Sequence, residues 1–419
     1  MTAVTRTIET VWRIEAPRLI AGLTRLVRDV GLAEELAQDA LVSALETWPA
    51  SGVPANPGAW LMTTAKNRGL DRLRREKLAV RKQEELGHVI ALATSPAPSI
   101  EEQLDEGTGD DVLRLVFISC HPILSTEARV ALTLRLLGGL STEEIARAFL
   151  VPEPTIAQRI VRAKRTLSEA AVPFEMPARA ELGERLASVL EVIYLVFNEG
   201  YSATAGADWM RPALCEDAMR LGRVLAELAP REPEVHGLVA LMELQASRTP
   251  ARTDAAGNPI LLLEQNRARW DRLLIGRGLA ALERARALGG DPGPYVLQAA
   301  IAACHARAPR AEDTNWAAIA DLYGDLVAVT HSPIVELNRG MAVAMAYGPA
   351  AGLAIVDALA HEPQLQSYHL LPAVRGDLLA KLDRHDEARA ELARAAALTR
   401  NERERALLEE RARALPHRN

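Results

Sequence analysis

Cysteine is scarce in this chain of 419 residues, which has three, Cys120, Cys215 and Cys304. An odd number with no CxxC spacing excludes a complete disulfide framework and suits a reducing compartment. Aromatic residues make up only 4%, so the core has to be built from Leu, Ala, Val and Ile. That composition favours helices over strands. No run of 18 apolar residues occurs, which argues against a transmembrane helix. The opening MTAVTRTIETVWRIEAPRL carries charges where a secretory signal needs its apolar stretch. The protein is therefore expected to be soluble and cytoplasmic, with no membrane partner. An excess of basic charge is also missing: 49 Lys and Arg face 55 Asp and Glu, for a net charge of −6. That excludes a protein that coats nucleic acid over its whole surface and shifts attention to local charge. P-loop, GxGxxG and HExxH signatures are absent. The pairs Cys120-His121 and Cys304-His305 are adjacent rather than at metal-ligand spacing. No catalytic residue, metal or cofactor is expected, and the chain does not read as an enzyme.

What is present is helical pattern nearly throughout. Ile8, Val11, Trp12, Ala16, Leu19, Ile20, Leu23 and Leu26 keep a helical period, and Leu36, Ala40, Leu41, Ala44 and Leu45 do so over Leu32 to Trp48. The segment 49–58, PASGVPANPG, reads as a loop, with helix resuming at Ala59 and running to about Lys82. Residues 93–111, rich in Pro, Ser, Gly and acids, read as a flexible linker before helix returns at Val112. After VPFEMP (172–177), whose two prolines make a stiffer joint, an Ala- and Leu-rich region continues to the end. It is broken near 200–206, 230–233, 248–260, 289–294, 308–313, 331–333, 348 and 361–365. Helices of this length between short breaks suggest stacked helix pairs. A weak repeat at an offset of 37 places Ala388, Leu392 and Ala395 over Ala351, Ile355 and Ala358, with Gly376 and Gly340 near matching positions upstream. Asn198-Glu199-Gly200-Tyr201 is the most unusual polar stretch of this region and reads first as a helix end capped by Gly200, with a contact to the helix-turn-helix region or to a ligand as the other reading.

The strongest local signal lies in 126–168. A first helix, TEARVALTLRLLGG, precedes Ser141, which with Glu144 three residues later forms a capping box for the short helix TEEIARAF. After the turn at 149–154 comes EPTIAQRIVRAKRTL, with Pro154 in its first turn, where a missing N–H costs little. Ile156, Ile160, Ala163 and Leu167 share its inner face. Thr155, Gln158, Arg159, Arg162 and Arg165 then point outward, a basic, hydrogen-bonding face suited to the major groove. A second basic segment, KNRGLDRLRREKLAVRK (66–82), has eight basic residues against Asp71 and Glu76. By itself it is equally a solvated helix. Beside a helix-turn-helix it suggests a second DNA contact.

Together these segments are recognisable. VGLAEELAQDALVSALETW followed by PGAWLMTTAKNRGLDRLRRE resembles region 2 of the extracytoplasmic-function (ECF) sigma factors. LSTEEIARAFLVPEPTIAQRIVRAKRTL resembles their region 4, in the right order and with no region 3 between. LEVIYLVFNEGYSAT, EDAMRLGRVLAEL, PEVHGLVALMEL, QNRARWDRLLI, GPYVLQAAIAACHA and SPIVELNRGMAVA resemble the tetratricopeptide-like C-terminal extension of one sigma group. The resemblance implies an all-α chain with region 2 at 1–92, the linker at 93–111, region 4 at 112–172 and the extension at 178–419. It implies docking on the clamp of the polymerase β' subunit through Glu35, Gln38 and Asp39, where carboxylates complement a basic coiled coil, and contact with the β flap. It implies promoter DNA as a partner, with Asn56, Lys66, Asn67, Asp71, Arg72 and Arg75 as −10 contacts around a flipped base, and Thr155, Gln158, Arg159, Arg162 and Arg165 at the −35 element. Trp48 and Trp60 are read as core. Pro152-Glu153-Pro154 departs from the small polar cap and glycine of many relatives, which puts the details of −35 reading in question. The large extension is expected to regulate activity and to offer a concave surface to a protein or peptide partner. The other reading is a ligand- or peptide-sensing helix-turn-helix regulator, which has no use for an acidic docking helix and a base-capturing loop.

Overall fold

The computed structural model describes residues 3–85, 108–149, 151–202, 210–254, 257–399 and 401–416, and splits into two compact units, Met1–Val192 and Ile193–Asn419. Among the described residues the chain forms α-helices and short 3-10 turns, with one isolated bridge between Thr253 and Pro259 and no strand.

In the first unit, α1 (Ala3–Val27) and α2 (Val30–Ser51) pack against each other and against α3 (Pro57–Glu85). The apolar period of α1 ends up inside: Ile8, Leu19, Ile20 and Leu23 are almost wholly buried. Asp29 caps α2, its Oδ1 accepting from the Leu32 amide at 2.7 Å. The loop after α2 is shorter than 49–58, because Pro49 lies inside α2 and Pro57 opens α3. Trp48 is buried and meets Trp60 edge to face at 5.3 Å, so both serve packing. Leu45 departs from the expected inner face and is 41% exposed.

Helix α4 (Thr108–Ser119) begins ahead of Val112, so Thr108–Asp111 is helix rather than linker; 93–107 lies outside the described residues. Asp111, 3% exposed, shows why this turn is fixed: it pairs with Arg114 at 2.6 Å and with Arg25 of α1 at 3.2 Å. Then follow α5 (Thr126–Leu136), α6 (Thr142–Phe149) and α7 (Glu153–Glu169). The first half of α8 (Leu182–Tyr201) belongs to this unit. It is fastened to α4 and α5: Arg185 donates to the Phe117 carbonyl at 2.8 Å and Ser188 to that of Cys120 at 2.7 Å. Arg129 pairs with Glu191 at 3.2 Å.

The second unit continues with α9 (Pro212–Leu228), α10 (Pro233–Ala246), α11 (Arg272–Ala287), α12 (Pro294–Arg307), α13 (Trp316–Thr330), α14 (Pro333–Tyr347) and α15 (Pro349–Ala358). It ends with α16 (Leu370–Lys381), α17 (His385–Leu398) and α18 (Glu402–Ala414). Five of these helices open on proline, whose fixed φ and absent N–H suit a first turn. Sequential helices pack pairwise, and the expected repeat falls on α14 with α15 and α16 with α17. A Cβ on Gly340 would lie 3.0 Å from Val356, and one on Gly376 would lie 3.0 Å from Leu392. Both glycines sit where two helices cross closely. Gly200 is not a cap. It lies inside α8, where a Cβ would meet the Cys215 amide at 2.7 Å, so it serves close approach to α9. The Ala-rich interior follows from the shortage of aromatics: Ala240, Ala299 and Ala303 are fully buried among Leu241, Leu244 and Leu282.

Candidate nucleic-acid interface

The helix-turn-helix forms as its local chemistry dictates. The Ser141 amide donates to Glu144 at 2.7 Å and the Glu144 amide to the Ser141 hydroxyl at 3.1 Å, a reciprocal cap that starts α6. Pro152 precedes α7 and Pro154 sits in its first turn. Ile156, Ile160, Ala163 and Leu167 are buried. That seats the helix and turns the opposite side to solvent: Gln158, Arg162 and Arg165 are exposed, with Thr155 and Arg159 half-buried at the edges. Arg165 leans back to Glu169 at 3.4 Å, both ends exposed, a contact worth little in water and easily exchanged for a phosphate. Val161 was missed by sequence reasoning. It is 64% exposed beside Arg162, and an exposed aliphatic side chain on this face is of the kind that packs on a thymine methyl group in the major groove. The available signal was its place outside the 156/160/163/167 stripe.

In α3, Leu61, Ala65 and Gly69 face the core, which leaves Asn67 and Asp71 exposed and Lys66 half-buried. These three share the outer side of one helix. The side chains of Arg72 and Arg75 lie outside the described residues, although both positions are helical. Asn56 stands apart from the other −10 candidates. Its Oδ1 accepts from the Ala59 amide at 3.0 Å and caps α3, so its acceptor is already engaged.

In α2, Glu35 and Asp39 are exposed, whereas Gln38 is half-buried and donates to Glu34 at 2.5 Å. Asp39 faces Arg68 at 3.6 Å, and the same guanidinium donates to the Asp39 carbonyl and the Ser43 hydroxyl. Both partners of that ion pair are largely exposed, so it contributes little. The outer face is broader than the sequence indicated. Val42, 50% exposed, and Glu46 continue the line of Glu35 and Asp39 at helical spacing, with Leu45 alongside. An acidic face with aliphatic members suits a basic protein partner better than DNA.

Glu34, 3% exposed, turns the other way. Its carboxylate receives Arg135 of α5 at 2.6 Å and pairs with Lys164 of α7. Ser168 donates to Asp29 at 3.2 Å beside it. The acidic helix α2 and the basic helix α7 are thus held to each other within the first unit.

Comparison with known proteins fits this geometry. Residues 12–78 match the family described as Sigma-70 region 2, and residues 114–167 match Sigma-70, region 4. Residues 185–286 match a family of unknown function, DUF6596. An uncharacterized protein, R00370, of Rhizobium meliloti (strain 1021) is 43% identical over 393 residues, 94% of this chain and 92% of that protein. The ECF RNA polymerase sigma factor SigK of Mycobacterium sp. (strain KMS) is 30% identical over 147 residues, 34% of this chain and 72% of SigK. SigK of Mycobacterium tuberculosis (strain ATCC 25177 / H37Ra) is 30% identical over 154 residues, 36% of this chain and 78% of that protein. No solved structure matches. With both sigma regions in order, each on the helices that carry the acidic and basic faces, the chain belongs to the ECF RNA polymerase sigma factors.

Proposed function

We propose that this sigma factor brings RNA polymerase to its promoters by dividing recognition between the two faces just described. The outward side of α7, with Thr155, Gln158, Arg159, Arg162 and Arg165, reads the −35 element. The outer side of α3, with Lys66, Asn67, Asp71, Arg72 and Arg75, contacts the −10 element, and Asn56 acts mainly by starting that helix. Glu35, Gln38 and Asp39 meet the β' clamp, joined by Val42 and Glu46, while region 4 meets the β flap. The observation that carries this reading is the coincidence of a capped helix-turn-helix with an exposed acidic helix in one unit. A ligand-sensing regulator, the other reading, leaves the region 2 match over 12–78 without a purpose. The chain acts by binding, in the cytoplasm, and the chemistry of RNA synthesis stays with the polymerase.

Promoter engagement also requires the first unit to open. The −10 and −35 elements are about 25 base pairs apart by their names, or about 85 Å at about 3.4 Å a step. Helices that share Glu34 as an ion-pair partner cannot reach both at once. The 178–419 region, read as tetratricopeptide-like, regulates this activity and takes a protein or peptide partner. Run-off transcription with purified core polymerase on a promoter library tests the assignment. Promoter-specific transcripts that depend on the added chain are the expected outcome, and none from any promoter would overturn it.

A further inference from the structure

Four of the chain's six tyrosines, Tyr194, Tyr201, Tyr295 and Tyr323, gather in the second unit together with three arginines. Tyr194 of α8 meets Tyr295 of α12 edge to face at 5.5 Å, and its hydroxyl lies 3.2 Å from the Gln298 side-chain oxygen. Arg252, 8% exposed, stacks on Tyr201 with its guanidinium carbon 3.5 Å from the ring centre. Arg267, 5% exposed, spends its terminal nitrogens on neutral acceptors: the carbonyls of His305 at 2.8 Å and Ala308 at 2.7 Å, and the Thr314 hydroxyl at 2.9 Å. The acids nearest to it, Glu312 and Asp313, are already held by Arg310.

Arg248 stands at the centre of this group, just past the end of α10. Among the described residues its guanidinium has no hydrogen-bond or ion-pair partner, and it stands over the Tyr201 ring with its carbon 5.7 Å from the centre. Its Nε is shut off from solvent and unpartnered, as are Nε of Arg267 and Nδ1 of His305. Three like charges therefore crowd together, and the central one has no counter-ion among the described residues. Such an arrangement is costly unless an anion completes it. Two titratable neighbours, His305 and Tyr323, are neutral. Burial, with Arg248 and Arg267 adding, pushes His305 down to about 3, and burial pushes Tyr323 up to about 12. The imidazole stays uncharged and the tyrosine hydroxyl keeps its proton.

We propose that Arg248 is the seat of an oxyanion-binding site in the C-terminal unit, taking a carboxylate or phosphate group through its planar fork, with Arg252 and Arg267 supplying field and the tyrosines lining the approach. Neither the sigma regions nor the polymerase contacts use these residues, so the site stands or falls independently of the promoter-reading function. It would let the extension sense an anionic metabolite or the acidic group of a peptide.

The full-length protein is titrated calorimetrically with inorganic phosphate and, separately, with succinate, in chloride buffer of matched ionic strength. Saturable binding of one or both is expected, and the preferred anion tells phosphate from carboxylate. Arg248→Gln should weaken it at least about tenfold, the loss expected for a charge-assisted hydrogen-bonding group. Arg248→Lys, which keeps the charge but not the fork, should fall between. Arg272→Gln, at an exposed arginine on α11, should bind like the wild type. If Arg248→Gln does not fold, the Arg248→Lys titration decides. No saturable binding of either anion, or equal binding by the Arg248 variants and the wild type, would overturn the proposal.

Discussion

Lys164, on the helix that reads DNA, is paired with Glu34, on the helix that presents the acidic face, across 130 residues of sequence. Arg135 closes on the same carboxylate at 2.6 Å. Glu34 is 3% exposed, so this is a desolvated cluster in which loss of one member matters more than it would on the surface. Glu34→Gln keeps the shape and most hydrogen bonds but removes the charge that two cations share. It should lower stability by about 1–3 kcal/mol in urea denaturation. It should also raise affinity of the free protein for duplex carrying both the −10 and −35 elements, because the closed arrangement keeps the two faces from reaching both at once. Unchanged affinity would show that closure does not limit DNA access.

Arg162 is exposed on the outward face of α7. Arg162→Ala should cost about 1–3 kcal/mol on the cognate −35 sequence if the contact is bidentate to a base, with relaxed specificity at one position. A contact to phosphate would instead weaken all duplexes alike and reduce the salt slope by about one. Titration of matched and mismatched duplexes at several salt concentrations separates the two.

Reversing Glu35 and Asp39 together to Lys should slow association with core polymerase and weaken it, most strongly at low salt. The helix itself should survive, since both side chains are exposed and the buried stripe from Ala33 to Trp48 is untouched. Surface-binding kinetics against core polymerase, with a circular dichroism melt beside them, check both halves.

The first half of α8 is fastened to α4 and α5 through Arg185, Ser188 and Glu191, and Leu186, Val189 and Leu190 are buried. A fragment ending at residue 177 should therefore be less stable than one ending at residue 192. The two hydrogen bonds to backbone alone suggest about 2 kcal/mol. Chemical denaturation of the two fragments measures this, and run-off transcription with each and with the full chain shows what the extension adds.

His305 offers a pH signature. Its folded pKa, about 3, lies below its ordinary value of 6.5 because burial and two neighbouring arginines disfavour the charged ring. The unfolded chain therefore takes up the extra proton first. This contribution to stability is complete above pH 6.5 and is lost as pH falls toward 3, at up to about 1.4 kcal/mol per pH unit. His305→Gln should flatten the fall in stability between about pH 7 and pH 5, as read from urea midpoints.

Much of this protein was settled by short-range chemistry that the sequence carries openly. The stripe Ile156, Ile160, Ala163 and Leu167, the Ser141–Glu144 box and the prolines that open α3 and five helices of the second unit all act within a turn or two, so spacing alone determined the helix-turn-helix, its outward residues and most helix boundaries. The same local logic misjudged Gly200, whose neighbour is Cys215 of the next helix, and Leu45, whose apolar side chain stands at the surface. Asn56 is exposed in a loop, where an asparagine can cap a helix or read a base, and only the position of the Ala59 amide showed that its oxygen caps α3. The closure of Lys164 and Arg135 on Glu34, the fastening of α8 to α4 and α5, and the gathering of Arg248, Arg252 and Arg267 leave no periodic trace. Each depends on side chains far apart in sequence arriving at one desolvated point, and only the tertiary packing of the helices brings them there.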